Sequence, residues 1–237
     1  MEIINKNSDK IVFSVSTNES LANAIRRSVS RIPVLAIDEV EISKNGSSLF
    51  DETIAHRLGL APLEMDKKFE KTPAKLTLST KNEGIIYSDE LKGPVKVVHG
   101  RIPLTSLNKG QELELTAITK MGMGCEHSKF NPGLIYYRNA SEITVDKEIA
   151  GELKKLIPNL EVKEKGNKTI VLDKGDKEVR DVLEGFSEKQ GKEFETVFGE
   201  ELIITLESFG QLQTEEVFNR AVNILKKDLS EFKKKFK

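Results

Sequence analysis

One cysteine stands among the 237 residues of this chain, and tryptophan is missing altogether. A lone thiol, Cys125, cannot close a disulfide within the chain, and it cannot supply a zinc or iron-sulfur site built from several thiolates. Only three histidines occur, His56, His99 and His127, and they are widely spaced, so metal chemistry has few ligands to draw on. No run of eighteen apolar residues exists, and the amino terminus reads MEIINKNSDK rather than a basic stretch followed by an apolar one. The expectation is a cytoplasmic protein without a membrane contact. A charge excess is lacking too: 37 lysines and arginines face 38 aspartates and glutamates. A near-neutral molecule exerts no overall pull on nucleic acid, so no direct specific DNA binding is expected and any DNA contact has to be local.

What is present is apolar periodicity. IVFSVS, 11–16, alternates as a half-buried strand does. A helix follows, with Ser16 and Glu19 spaced as a capping box and Asn18 as a competing cap. Leu21, Ala22, Ile25 and Val29 recur at helical spacing until Pro33, and Arg26, Arg27 and Arg31 fall off that stripe. VLAIDEVEI, 34–42, is a strand, KNGSS at 44–48 is a turn, and DETIAHRLGLAPL holds a short helix capped by Asp51. Short strands then predominate to about residue 140, among them AKLTLST, PVKVVHGRIPL and ELELTAITKMGMG. From 141 to 199 come two helix candidates, KEIAGELKKLI and KEVRDVLEGFSEKQG, around a strand KTIVLD. A strand ELIITLESFG leads into a long last helix, which Thr214 is expected to cap. Along that helix Phe218, Val222, Leu225, Leu229, Phe232 and Phe236 stand three or four apart, a stripe long enough to cover another helix.

Three constellations invite a catalytic reading. Asp38, Glu39 and Glu41 are carboxylates, but side chains alternate along a strand, so Glu39 and Glu41 point one way and Asp38 the other. A hydrolase would need Asp38, Glu39 and His56 to converge; salt bridges on an exposed strand or a partner-facing edge are the better reading. His56 has no second ligand at metal spacing and reads as a packing or hydrogen-bonding histidine. GMGCEH, 122–127, contains a Gly-x-Gly without the strand-to-helix unit or lysine of a phosphate loop, and Cys125 reads as a buried or incidental residue. Arg26 and Arg27 could bind phosphate or pair with carboxylates of a neighbouring subunit; without interleaved aromatics, the second is favoured.

SLANAIRRSVSRIPVLAIDEVEI, DETIAHRLGLAPL, GMGCEHSKFNP and ITLESFGQLQTEEVFNRAVNILKKDL, in this order, resemble a family of archaeal DNA-directed RNA polymerase subunits, kin of the third-largest subunit of eukaryotic RNA polymerase II and of the bacterial alpha amino-terminal domain. The resemblance implies an α+β fold: a discontinuous dimerisation domain of strands plus two long helices, with an inserted mostly-β domain and a small ferredoxin-like α+β module. On this sequence the divisions fall at 1–44, 45–140, 141–199 and 200–237. It implies a noncatalytic assembly platform that heterodimerises with subunit L through Leu21, Ala22, Ile25, Val29, Phe218, Val222, Leu225 and Leu229. Arg26 and Arg27 would meet a large catalytic subunit. His56, Arg57, Glu126, His127 and Lys129 would help dock the second-largest subunit and the small zinc-bearing subunits N and P.

One departure from the family bears on cofactors. Many archaeal relatives carry cysteine-ligated iron-sulfur clusters in the segment matching 141–199, and here that segment has no cysteine. Lysine and glutamate do not replace thiolate ligands, so no cluster is expected, and no zinc. A redox carrier, the other competing reading, is disfavoured for the same reason.

Overall fold

The structure is a computed structural model that describes residues 1–65, 72–157, 160–175, 179–190 and 194–236. Lys177, Glu178 and Gly191, counted above in a helix candidate, and the terminal Lys237 lie outside the described residues. The chain opens with β1 (Glu2–Lys6), β2 (Lys10–Ser16), α1 (Glu19–Val29), β3 (Val34–Asn45) and α2 (Asp51–Leu60). It continues with β4 (Lys75–Thr80), β5 (Gly84–Tyr87), β6 (Pro103–Leu107), β7 (Leu113–Gly122) and β8 (Gly133–Asp146). Then follow α3 (Lys147–Leu156), β9 (Glu161–Lys165), β10 (Lys168–Asp173), α4 (Val179–Gln190), β11 (Glu195–Ser208) and α5 (Thr214–Lys235). Two compact units result, one from Met1–Ala24 with Ile135–Leu206, the other from Ile25–Leu134 with Glu207–Lys237.

The first unit is built on a six-stranded sheet in the order β1-β2-β11-β8-β10-β9. Four of its strands and two helices alternate as β8-α3-β9-β10-α4-β11, with β10 antiparallel to both β8 and β9. Ile149, Ala150 and Leu153 of α3 recur at helical spacing and pack with Ile143, Val145, Val171, Val179 and Leu183 into one apolar cluster. β2 is not half-buried: Ile11, Val12, Phe13 and Ser14 are all buried. It is an interior strand, between β1 and β11, and burial on both faces erases the alternation expected of it. β9, EVKEK, and β1 were not anticipated. With one apolar residue in five, an edge strand such as β9 shows no hydrophobic pattern to find, and its charges keep the edge from pairing with another chain.

A polar pair sits inside this unit. The Asp173 side chain is 2% exposed, and Arg138 Nη2 lies 3.0 Å from its Oδ1; Arg138 also donates to Gly175 O at 2.8 Å. Burial pushes the Asp173 carboxyl above its ordinary value, while Arg138 and the N–H groups of Val179 and Arg180, at the start of α4, pull it back.

The second unit has a three-stranded sheet, β3-β7-β4, and a two-stranded ribbon, β5-β6. Ile54 and Leu58 of α2, one turn apart, pack with Leu35, Ile37, Leu76, Leu78 and Leu115 in its core. β3 pairs antiparallel with β7 from Val34↔Gly122 to Asn45↔Leu113, and the register shifts where Asp38 and Ser43 are extra. At the turn after β3 the Asn45 side chain accepts from Ser47 N at 3.0 Å and donates to Leu49 O at 2.8 Å. PVKVVHGRIPL, expected as one strand, makes only an isolated antiparallel bridge, Val97 with Leu63, before the strand that starts at Pro103. Pro94 has no N–H to give a ladder, and the carbonyls of His99, Gly100 and Ile102 are taken by Ser88 Oγ, Asp89 N and Ser88 N instead.

Candidate docking site for partner chains

Asn18, not Ser16, starts α1: its Oδ1 accepts from Leu21 N at 2.8 Å, whereas Ser16 belongs to β2. At the other end the terminal carbonyls all find donors. Ser30 Oγ bonds Arg27 O, Arg31 N bonds Ser28 O, Ile32 N bonds Val29 O, and Cys125 N reaches Ser30 O at 3.0 Å. The helix is therefore finished before Pro33 without an exposed end. Two other expected caps do not form. α2 is preceded by Phe50 and α5 by Gln213, neither with a side-chain cap; Asp51 and Thr214 are the first helical residues, and Thr214 is buried.

The apolar stripes of α1 and α5 are unequally covered. Ala22 and Val29 are buried and Ile25 is half-buried, while Leu21 is 45% exposed. On α5, Val217 and Ala221 are buried; Phe218, Val222 and Leu225 are half-buried. Beyond them the stripe emerges: Leu229 is 60%, Phe232 62% and Phe236 78% exposed. Arg31 fixes this helix to the turn after α1 by a forked pair with Asp228, with Nη2 3.1 Å from Oδ1. That hydrogen bond holds the Asp228 carboxyl below its ordinary value. The pair, 197 residues apart in sequence, was not anticipated; Arg31 carried no signal beyond lying off the apolar stripe.

The acidic cluster divides as its alternation requires. Lys129 Nζ lies 2.7 Å and Lys120 Nζ 3.6 Å from Asp38, holding its carboxyl below the ordinary value, while Glu39 and Glu41 are exposed. No three His, Cys, Asp or Glu residues among the described ones form a group able to hold a metal, Asp38, Glu39 and His56 included. His56 is exposed on α2 rather than packed, and Cys125 is exposed rather than buried. The glycines of GMGCEH serve close approach. A Cβ at Gly122 would lie 2.6 Å from the Phe130 ring, and one at Gly124 would meet the Asn131 side chain and, at 3.1 Å, Ser30 O.

The expected docking residues fall into distinct settings. Arg26, Arg27, His56, Glu126 and His127 are exposed; His127 Nδ1 accepts from Lys129 N at 3.1 Å, making a 3-10 turn of Ser128–Phe130. Arg57 is partly engaged, donating to Leu104 O at 3.0 Å. Lys129 is committed to Asp38, and its stem passes 4.0 Å from where a Gly59 side chain would begin.

The four recognised sequence blocks thus all contribute to one unit. The segment after α1 bonds the 122–132 loop through Ser30 and Asp38; α2 lies against Lys129; and the carboxy-terminal block joins the same loop through Phe209 N to Pro132 O at 3.0 Å and Gln211 Nε2 to Asn131 O at 3.2 Å. Such an arrangement holds exposed side chains in fixed positions. A model of the RNA polymerase Rpb3/RpoA insert domain matches residues 40–146. The DNA-directed RNA polymerase subunit Rpo3 of Pyrococcus furiosus is 35% identical across 98% of this chain and 95% of its own length. That of Pyrococcus horikoshii is 34% identical with the same coverage, and the DNA-directed RNA polymerase II subunit rpb3 of Dictyostelium discoideum is 35% identical over 57% of this chain and 55% of its own.

Proposed function

This chain belongs to the family of DNA-directed RNA polymerase subunit Rpo3, and from that premise we propose that it is the noncatalytic assembly platform of its polymerase. It pairs with a smaller subunit of type L through the stripes of α1 and α5, and the pair then docks the large catalytic subunits. Arg26 and Arg27 face one of those. His56, Arg57, Glu126 and His127 contribute to docking the second-largest subunit and the zinc-bearing subunits N and P, with Lys129 acting indirectly by holding its turn against Asp38. Nucleotide addition and its metal ions reside on the partners. The proposal includes the division of the chain at 44/45, 140/141 and 199/200, a cytoplasmic location, and the absence of iron-sulfur and zinc cofactors, because 141–199 offers no cysteine and the inserted domain only Cys125. No described helix is long and apolar enough to cross a membrane.

The observation that carries this reading is the α5 stripe, which passes from buried Val217 and Ala221 to exposed Leu229 along one continuous helix. Large apolar side chains left in water on one helix face favour a partner, at roughly 1.5–3 kcal/mol for each one fully buried. Light scattering after size-exclusion chromatography tests it, on the chain alone and co-expressed with its genome's subunit of type L. A one-to-one complex lost in the double variant Ile25→Asp/Leu225→Asp is expected; a wild-type chain indifferent to that subunit would overturn the proposal.

A further inference from the structure

We propose that the last turns of α5, from Leu225 to Lys235, form a cationic docking face whose occupant is a protein surface apolar along its middle and lined with carboxylates on one side. This rests on the heterodimer reading above and specifies the partner's chemistry. At 3.6 residues per turn, Leu225, Leu229, Phe232 and Phe236 fall within an arc of about 60°. The Phe232 and Phe236 rings lie 4.7 Å apart, so the exposed end of the stripe is one continuous patch. On one side of it the helix is tied down through Asp228 and Arg31. On the other, Lys226 and Lys233 stand about two turns apart along the helix, roughly 80–100° round from Leu225.

The charges on this segment are one-sided. Lys226, Lys227, Lys233, Lys234 and Lys235 stand against Asp228 and Glu231. Asp228 is taken by Arg31, and Glu231 approaches Lys227 at 3.9 Å. Among the described residues no carboxylate pairs with Lys226, Lys233 or Lys234. A second copy of this chain fits poorly: an antiparallel two-fold contact brings the lysine row onto its own image, and a parallel one sets it against the Asp228 side, whose carboxylate Arg31 already takes. A polynucleotide would engage the lysines but leave the aliphatic Leu225 and Leu229 part of the patch without an apolar counterpart. A protein groove with carboxylates beside an apolar floor satisfies both features.

The test titrates the full chain against the subunit of type L at ~50 and ~500 mM salt, where the Debye length shrinks severalfold. Wild-type affinity should fall on the order of tenfold across that range. Lys226→Glu/Lys233→Glu, shown by circular dichroism to keep its helix content, should bind weakly at low salt and recover as salt rises. Wild-type affinity indifferent to salt, with the reversed variant binding equally, would overturn the proposal while leaving the heterodimer standing. Absence of any binding to the subunit by the wild-type chain would overturn both. Dimerisation of the chain alone at low salt would overturn it in favour of a second copy. Binding to a short DNA duplex that the two substitutions abolish, with subunit binding untouched, would overturn it in favour of a polynucleotide.

Discussion

Replacing Asp38 by Asn removes a charge from a pair that is neither surface nor core. The Lys129 side chain is 14% exposed and that of Asp38 26%. Exposed pairs contribute about 0.2–1 kcal/mol, whereas breaking a fully buried one costs roughly 3–5 kcal/mol because the remaining charge is stranded. The half-covered geometry places Asp38→Asn between those limits, at about 1–2 kcal/mol. Lys129→Met should cost less, since Lys120 still faces Asp38 at 3.6 Å. Hydrogen exchange of the 3-10 turn amides, Ser128–Phe130, reads this locally. A loss of that size accelerates exchange about 5- to 30-fold through the population of open states. The pH dependence has a definite sign. The folded Asp38 carboxyl lies below its ordinary value of 3.8, so its contribution is fully present above that value and is lost as pH falls through the lower, folded one. Acidification should therefore erase the difference between wild type and Asp38→Asn. Unchanged exchange in Asp38→Asn, or a difference that persists in acid, would refute the assignment of the turn's stability to this pair.

Three further outcomes follow from the geometry. Gly122→Ala places a methyl 2.6 Å from the Phe130 ring and should cost about 1–3 kcal/mol by overpacking, with partial recovery in Gly122→Ala/Phe130→Leu, read by thermal unfolding in circular dichroism. Asn18→Ala should lower stability by about 1 kcal/mol through loss of the α1 cap, while Ser16→Ala should leave it within experimental error in the same assay. Carboxyl NMR titration should find Asp173 above 3.8, because burial raises it. Its contribution to stability is then fully present below the unfolded value and declines as pH rises through the folded one, opposite in sign to that of Asp38.

Elements with strong periodicity could be read directly from the chain: α1, α3, the middle of α5, β4 and β7 each repeat apolar residues at a single period, while β10 showed itself as a short apolar run, Ile170–Leu172. The carboxylates of 38–41 could be sorted by alternation alone, although the bulge at Asp38 could not be anticipated. Misreadings arose where a competing interaction decided the outcome. Asn18 and Ser16 compete for one helix start, and only the extent of β2 settles it. Val95, Val97 and Val98 have strand propensity, yet the backbone of Ser88 and Asp89 claims the carbonyls beyond them. Pairings between distant residues, Arg31 with Asp228 and Arg138 with Asp173, left no trace in local pattern, because a single charged residue looks the same whether solvated or paired.

The order of the six-stranded sheet bears on how the protein is made. β2 is the tenth to sixteenth residues, and its neighbour β11 starts at Glu195. At synthesis rates of about 5–20 residues per second, the ribosome delivers β11 roughly 10–40 s after β2. For that interval Ile11, Val12 and Phe13 sit on a strand with only β1 beside it. The first unit can close only after β11 has emerged, so nascent chains stalled before Glu195 should be the ones that chaperones retain.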